Sequence, residues 1–469
     1  MKINNILDQI VHNIVIADFL PTYASLGIDI ESSINPKTGE IAVSNDIEAV
    51  AVAKLIIQHI CAAGFKVGKD AASIYFFDGS KWVNISTGHW NEFVKNCAVK
   101  LKTNFAKYLT AKFQILLQQT ILVILPNLSF DRINSKTIKI NFVNGTLQIV
   151  NNRVELLTHC DDDYFTYCLP YEYSPKDREA PLFFNYLSRV LPEVQSRELL
   201  QELFGSVLAK DLNLEFLAIF LGNGANGKSV LHQIVLALFG IDNVSTLSWS
   251  QLFEPTELIS FEGKLLNYGS EISLSKNTNL DLIKKLCSRE HVTIRKRYQQ
   301  SSHTTNYGRM FFNANKLPVV SDSFFSFMRR LQLVIFDQTI DPQERDINLA
   351  NNIIQTELTA IINWVIEGAI RISKQMKFTE SIKSKQILDS YCVEQCTVAI
   401  FINEYLLVPS QTRKRLLNEV FNLYVGFCNE RKYRCVHYSE FSSRLRQNSF
   451  EIRKSNQNKT FVFAEGFST

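Results

Sequence analysis

Eight consecutive residues, 222–229, have the types and spacing of a loop that binds phosphate groups. They match G-x-x-x-x-G-K-[ST] and are, in order, Gly222, Asn223, Gly224, Ala225, Asn226, Gly227, Lys228 and Ser229. Small residues let backbone N–H groups turn inward around phosphates, at the positive end of a following helix. In such loops the lysine reaches the β- and γ-phosphates, and the serine hydroxyl ligates Mg²⁺. The segment therefore predicts binding of a nucleoside triphosphate with Mg²⁺.

Elements that could position this loop stand on both sides of it. An apolar run, 217–221, predicts a strand before the loop, and apolar residues at helical spacing within 230–238 predict a helix after it. A strand, a loop and a helix in this order are the context that the motif requires. Strands and helices then alternate from 212 to about 340, which is typical of an α/β nucleotide-binding core.

Three polar residues follow the loop at the ends of predicted strands. Glu271 lies 43 positions after Lys228, Asn315 a further 44 positions on, and Arg330 fifteen positions after that. A carboxylate at a strand end could act as the general base on water, and Asn315 could hold that water or sense the γ-phosphate. Arg330 could act as an arginine finger on a neighbouring subunit's nucleotide.

Each of the three also has an ordinary interpretation: an exposed glutamate, a turn-capping asparagine and a surface arginine. Their order, even spacing and strand-end positions favour the catalytic interpretation when they are taken together.

A basic segment between Glu271 and Asn315 is a candidate contact for nucleic acid. Arg295, Lys296 and Arg297 could bind phosphates, and Tyr298 could stack on a base. A solvated basic strand edge is the alternative interpretation.

The C-terminal residues form a second basic region. Residues 411–460 contain eleven Lys and Arg against four Glu, a local charge of +7, whereas the whole chain has +4. Helices are predicted at 415–431 and 438–447 and strands at 450–454 and 460–464, which is a winged-helix layout. The excess of positive charge favours a module that binds duplex or origin DNA, with docking to a protein as the alternative.

Composition and length describe an ordinary protein of several domains. The chain has 469 residues, of which 46% are hydrophobic and 20% charged. We therefore expect two to four domains and no global disorder. The first twenty residues predict an amphipathic helix rather than a signal peptide. The longest apolar stretches, near 115–125 and 214–221, are too short or broken to span a membrane.

The cysteine pattern does not predict a zinc site. The closest groupings are Cys392 with Cys396, and Cys428 with Cys435 near His437, and neither has the paired two-residue spacing of such a site. We expect free thiols in a reducing cytoplasm.

The predicted organisation has five segments. A mainly helical domain with one inserted β-hairpin (74–77 and 82–85) occupies 1–125, and a β-hairpin and helical domain occupies 126–211. The ATPase core follows at 212–345, a helical connector at 346–408, and the winged-helix-like domain at 409–469.

The chain resembles the superfamily 3 helicases, in particular the phage- and plasmid-type, poxvirus-like primase-helicases. The similar segments, besides the phosphate loop, are Asn315-Lys-Leu-Pro318, Arg329-Arg330-Leu331 with Phe336, Asn144-Gly-Thr-Leu147, Tyr171, Pro175 and Leu200-Gln-Glu-Leu-Phe-Gly205. The resemblance implies an AAA+-type core, a hexameric ring, use of Mg²⁺ and ATP, and translocation on single-stranded or forked DNA. It also implies that residues 295–298 belong to a hairpin that projects into the pore of the ring.

Two departures from that family leave questions about function. Ser270 stands before Glu271 where relatives often carry a second acidic residue, which weakens the expected carboxylate role at Mg²⁺ and gives more weight to Ser229. The residues ahead of the loop match the family's helical domain rather than a fused primase, and a separate primase or replication protein is a candidate partner. The sequence thus predicts a DNA helicase of a mobile element, with a nucleotide-gated DNA-binding initiator or assembly platform as the alternative.

Overall fold

The computed structural model describes most of the chain. The described residues are 3–34, 41, 43–70, 73–101, 105–130, 137–151, 153–270, 272, 280–295, 301–317, 327–395, 397–431, 433, 435–455 and 459–466. Glu271, Lys296, Arg297 and Tyr298 lie outside the described residues.

The N-terminal part surrounds a small sheet with helices. Its helices are α1 (Ile3–Asn13), α2 (Leu20–Ser25), α3 (Ile30–Ser33), α4 (Asn45–Ala62), α5 (Thr87–Leu101), α6 (Phe105–Tyr108) and α7 (Ala111–Ile124). Its strands are β1 (Lys66–Asp70), β2 (Ser73–Phe77) and β3 (Trp82–Ile85), paired antiparallel in that order. The helices share one apolar core that centres on α4, whose Ala49, Val52 and Ile56 are fully buried.

The predicted hairpin is present as β2 and β3, and β1 adds a third strand that was not predicted. Lys66 pairs with Phe77 and Asp70 with Ser73 along β2. The strand was missed because Lys-Val-Gly-Lys-Asp offers one apolar side chain, Val67, and its pairing depends on the neighbouring strand.

A second antiparallel sheet and two helices lead to the phosphate loop. The strands are β4 (Thr137–Phe142), β5 (Gly145–Val150) and β6 (Arg153–Leu157), and the helices are α8 (Pro181–Val190) and α9 (Val194–Leu208). The strands pair in chain order, so the β-hairpin predicted in this domain is part of a three-stranded sheet. The side chains of α8 and α9 join the same core as the central sheet.

The central sheet has five parallel strands in the order β13-β7-β12-β9-β8. These strands are β7 (Leu217–Leu221), β8 (Val244–Ser245), β9 (Leu266–Gly269), β12 (Arg309–Ala314) and β13 (Leu331–Ile335). Helix α10 (Lys228–Phe239) follows β7, and α11 (Pro255–Leu258) and α12 (Leu280–Ser288) precede a separate antiparallel pair, β10 (Val292–Arg295) and β11 (Ser301–Thr304).

Both faces of the central sheet are buried, as expected for parallel strands. On β7, Ala218 and Phe220 belong to a core shared with α9 and α10, while Leu217 and Ile219 belong to a core shared with α11 and α12. The prediction of an α/β core is confirmed, and the structure shows that its sheet is parallel. All the carboxyl ends of these strands therefore lie along one edge, here called the carboxyl edge, and their starts lie along the amino edge.

The chain after the sheet is helical up to a small C-terminal sheet. The helices are α13 (Leu349–Thr356), α14 (Leu358–Gln375), α15 (Ile382–Gln395), α16 (Thr397–Glu404), α17 (Leu417–Glu430) and α18 (Tyr438–Gln447). The last strands are β14 (Val408–Leu416), β15 (Glu451–Lys454) and β16 (Thr460–Glu465), in the order β14-β16-β15.

The C-terminal helices and the last two strands lie within two residues of their predicted positions, but β14 was not predicted. Its sequence, Val-Pro-Ser-Gln-Thr-Arg-Lys-Arg-Leu, is mostly exposed and charged, so it lacks the alternation that indicates a strand. The segment is a strand because Lys414, Arg415 and Leu416 pair with β16, and the local sequence gives no strand signal.

No single helix among the described residues is both long and apolar enough to cross a membrane. Two consecutive segments, Pro342–Thr356 and Leu358–Gln375, reach that length and composition only when taken together, and they are bent by 77°.

Candidate nucleotide-binding site

The phosphate loop lies at the carboxyl edge and is tied to the strands on both sides of β7. The N–H of Gly222 donates to the Ala314 carbonyl at the end of β12 (3.0 Å). On the other side, the N–H of Ile340, beyond β13, donates to the Ala225 carbonyl (2.9 Å). The start of the loop is thus held by β12, and its middle by the segment that follows β13.

The glycines of the loop are required by space and by backbone conformation. A Cβ on Gly222 would overlap Asn226 Nδ2 and the Phe336 carbonyl. Gly224 and Gly227 have φ values of +96° and +88°, in the left-handed region that favours glycine. Glycine at these positions therefore keeps the loop slim, as a loop that surrounds phosphates requires.

Lys228 begins α10, and its side chain is folded into the loop. Its Nζ donates to the carbonyl of Gly222 and to Asn226 Oδ1 (3.1 Å). The Asn226 amide is fixed in turn by donation from Nδ2 to the Phe336 carbonyl (2.9 Å). Burial lowers the pKa of Lys228 because a desolvated ammonium loses hydration. An anion bound beside it would oppose that loss.

The outer face of the loop is exposed. Asn223, Gly224, Ala225 and Ser229 all lie at the surface, and Ser229 is in the first turn of α10. The loop is therefore anchored from within and accessible from outside.

Helix α8 supports the loop through a residue that sequence reasoning missed. The Tyr186 hydroxyl donates to the Gly227 carbonyl (2.9 Å), and a Cβ on Gly227 would come within 2.8 Å of Val190 Cγ1. In the sequence Tyr186 is one of several aromatic residues on an amphipathic helix. No local signal separates it from the others.

A second missed group connects α10 with β9 and β12. The rings of His232 and Tyr268 meet edge to face, with centroids 4.6 Å apart. The Tyr268 hydroxyl donates to Asn313 Oδ1 (3.1 Å), and Asn313 lies two positions before Asn315. Burial lowers the pKa of His232, which favours its neutral form.

Asn315 lies where it was predicted, just beyond the end of β12. Its side chain is exposed, and its neighbour Ala314 accepts the bond from Gly222, so Asn315 is adjacent to the start of the loop. Near the end of β9, the N–H of Ile272 donates to the Asn313 carbonyl (3.2 Å). Glu271 itself lies outside the described residues.

Arg330 lies at the amino edge, away from the phosphate loop of its own chain. Its carbonyl accepts from the Leu217 N–H (2.8 Å), at the first residue of β7. Its side chain is buried, with 8% of the residue exposed, and Nη2 pairs with Glu215 Oε2 (2.5 Å) and Ser288 Oγ (3.3 Å). Arg329 in the same turn is exposed.

The segment between Glu271 and Asn315 that was expected to form a hairpin contains the antiparallel pair β10 and β11. Arg295 is exposed at the end of β10 and pairs in register with Ser301. Residues 296–298, which carry the rest of the predicted contact, are not described. Among the described residues, no group of three or more His, Cys, Asp or Glu side chains could hold a metal ion.

Comparison with known proteins gives distant similarities. Residues 220–330 match the Family of unknown function (DUF5906). A protein of Acanthamoeba polyphaga mimivirus named "Putative helicase L207/L206" is 24% identical over 187 residues, covering 38% of this chain and 20% of the viral protein. The "Putative primase C962R" of African swine fever virus is 22% identical over 200 residues, covering 40% and 21%. The matched part thus spans about a fifth of the length of these curated relatives.

Among solved structures, the C-terminal region of NrS-1 overlaps 88% of this chain and 99% of its own, with 13% identity and a TM-score of 0.49. The chain is therefore similar, at low identity, to viral proteins named as a helicase and a primase.

Proposed function

We propose that this protein is an ATP-dependent DNA helicase or translocase that acts in replication of a mobile element. The observation that carries the proposal is the anchored, outward-open loop with Lys228 inside it, at the carboxyl edge of a parallel sheet. Ligands of open α/β sheets bind at that edge. The similarity to viral proteins named as a helicase and a primase supports DNA as the polymer.

The loop residues fit a nucleoside triphosphate. The backbone of 223–227 would surround the phosphates, Lys228 would bind the β- and γ-oxygens, and Ser229 would ligate Mg²⁺, with Glu271 contributing directly or through water. Bound ATP would supply the phosphoryl group that is transferred to water, and Mg²⁺ would neutralise charge on the phosphate oxygens. Asn315, exposed beside the loop, would orient the attacking water, and Glu271 would accept its proton.

The proposed assembly is a ring, a hexamer of the superfamily 3 and AAA+ type, in which each nucleotide lies between two subunits. Arg330 would then act on a neighbouring nucleotide, which agrees with its position at the amino edge, distant from its own loop. In the isolated chain its guanidinium is paired with Glu215, so that ion pair would have to exchange for phosphate oxygens. Exposed Arg329 is the competing candidate for this role.

Two surfaces would contact DNA. One is the β10–β11 pair, through Arg295, Lys296, Arg297 and Tyr298, on single-stranded or forked DNA. The other is the C-terminal unit, which we interpret as a winged helix bound to duplex at an origin. The exposed cations among its described residues are Arg413, Lys414, Arg415, Arg431, Arg446, Arg453, Lys454 and Lys459. Cations on one small unit bind the phosphate backbone with strong salt dependence.

The alternative is a nucleotide-gated DNA-binding initiator or platform that hydrolyses ATP very slowly. Ser270, in place of an acidic residue, favours it, because one carboxylate fewer would stand near the metal.

Steady-state ATP hydrolysis, with and without single-stranded DNA, tests the proposal. We expect DNA to stimulate ATP hydrolysis by the parent protein. Lys228→Ala should reduce hydrolysis by about 10² or more, since it removes the positive charge that would stabilise the transferred phosphoryl group. The matched control is Lys374→Ala, an exposed lysine at the end of α14, which should hydrolyse normally. If the parent protein binds ATP but shows no measurable hydrolysis, the helicase proposal is wrong and the nucleotide-gated platform is favoured.

A further inference from the structure

A cavity of about 580 Å³ lies at the amino edge of the central sheet, where the β4–β6 unit meets the sheet. Here called the amino-edge cavity, it is lined by three parts of the central domain: 208–212 ahead of β7, Arg289 and His291 ahead of β10, and 305–307 ahead of β12. Its volume is within the range of small-molecule sites. Strands β7 and β12 separate it from the phosphate loop by roughly 17–20 Å, at about 3.3 Å per residue.

Cations gather at the inner wall of this cavity. The Arg289 Nη1 donates to the backbone carbonyl of Lys210, so the guanidinium lies against Lys210, and its charge acts on the Lys210 ammonium. Arg289 Nε is buried and has no hydrogen-bond partner among the described residues. Arg309 lies close behind, and its charge also acts on Lys210.

The pKa of Lys210 reflects the nearby positive charges. Burial, with Arg289 and Arg309 nearby, lowers the pKa of Lys210 to about 7, although Asp211 acts in the opposite direction. An anion between Lys210 and Arg289 would relieve this repulsion and give Arg289 Nε an acceptor. Of the other acidic groups on the wall, Asp163 is already paired with Lys139, and Asp162 is exposed.

The remaining wall is aromatic. Tyr167 lies under Lys210 Nζ, 5.3 Å from its ring centroid, and the half-buried rings of Phe130, Tyr164 and Phe165 line the cavity. Aromatic rings next to cations suit a planar base attached to a phosphate.

We propose that the amino-edge cavity binds a nucleotide, either free or as one unit of a single strand, with its phosphate at Lys210 and Arg289 and its base among the aromatic residues. This site is separate from the phosphate loop and does not depend on the function proposed above. Because Arg289 and His291 immediately precede β10 and Thr305 immediately follows β11, an occupied cavity would hold the base of the β10–β11 pair.

The test uses the full chain carrying Lys228→Ala, so that binding at the phosphate loop does not contribute. Calorimetric titration compares dTMP, a hexamer of dT and inorganic phosphate. We expect dTMP or the hexamer to bind, and Lys210→Gln to weaken that binding about tenfold, the effect of one charged hydrogen bond to phosphate. Lys210→Arg should keep it. Binding of dTMP indicates a free nucleotide as the ligand, and binding of the hexamer alone indicates a strand.

The matched control is Lys264→Gln. Lys264 is a half-buried lysine ahead of β9 whose Nζ donates to the Asp242 carbonyl (2.5 Å), and it lines a neighbouring cavity. This variant should bind like its parent. Hexamer binding that Lys210→Gln leaves unchanged belongs to another surface and overturns the proposal. Inorganic phosphate that binds as tightly as dTMP overturns the role of the base.

If Lys210→Gln does not fold, the proposal can still be tested with the Lys228→Ala protein alone. Hydrogen exchange with and without ligand should show protection at 208–212 and 289–291. Absence of protection in both segments at saturating dTMP and hexamer would overturn the proposal.

Discussion

The two edges of the parallel sheet both hold buried cations, but they hold them in different ways. At the carboxyl edge, Lys228 donates to the Gly222 carbonyl inside a loop whose outer face is exposed. At the amino edge, Arg309 is 4% exposed and donates to the carbonyls of Leu212 and Leu214, at 2.8 Å each. One cation is next to a surface opening, and the other is enclosed by the chain.

The difference separates a binding role from a structural one. A buried cation that donates to enclosed carbonyls stabilises the fold, because its removal would leave those carbonyls unpaired. A cation in an open glycine loop can exchange a carbonyl for a phosphate oxygen. Arg330 is intermediate: it is buried, yet its partner Glu215 has a side chain that is 40% exposed.

The largest expected effect concerns Arg330. We expect Arg330→Ala to lower ATP hydrolysis by about 10³ or more while ATP binding remains, because arginine fingers act on the charge that develops in the transition state. Hydrolysis rates and nucleotide titration measure the two quantities. The matched control, Arg329→Ala, should hydrolyse nearly normally.

Mixing the Arg330→Ala and Lys228→Ala proteins should restore part of the activity if the arginine acts on a neighbouring subunit. Mixed rings without any recovery would argue against action between subunits. If Arg329→Ala loses hydrolysis while Arg330→Ala does not, the exposed Arg329 is the arginine finger.

The second expected effect is on stability at the amino edge. Arg309→Ala leaves the carbonyls of Leu212 and Leu214 unpaired and removes the guanidinium that lies 5.1 Å from the Phe216 ring centroid. We expect a loss of about 3–5 kcal/mol, seen as a Tm lower by roughly 10 °C in thermal unfolding. Arg413→Ala, an exposed arginine on β14, should leave Tm within about 1–2 °C. Equal Tm values for the two variants would remove the structural role assigned to Arg309.

The smallest expected effect compares two tyrosines that bond opposite ends of α10. Tyr186 donates to the Gly227 carbonyl (2.9 Å), and Tyr171 donates to the Leu238 carbonyl (2.6 Å). Each Phe variant should cost about 1 kcal/mol of stability, since one buried hydrogen bond is lost. Only Tyr186→Phe should also weaken ATP binding, by about threefold to tenfold in a nucleotide titration, because it loosens the loop. Equal ATP affinities would show that α8 supports the fold and not the loop.

Sequence patterns among residues close in the chain predicted the positions of many helices, strands and loops of this protein. The loop at 222–229 with its strand and helix, the strands that end near Gly269 and Ala314, and the helix at 438–447 all lie where the sequence indicated. Each depends on apolar spacing or turn chemistry within about ten residues. Strands β1 and β14 were missed because charged residues conceal their alternation, and only pairing with a neighbour makes them strands.

What the sequence by itself determined is therefore the position of the glycine-rich loop at 222–229, the α/β pattern around it and the order of polar residues after it. The tertiary structure alone decided that Ala314 bonds the start of the loop, that Tyr186 supports it, and that Arg330 is paired with Glu215. It also decided that Lys210 and Arg289, far apart in the chain, share one cavity. The physical reason is that strand order and packing bring distant segments together, and no local pattern encodes which side chains then meet.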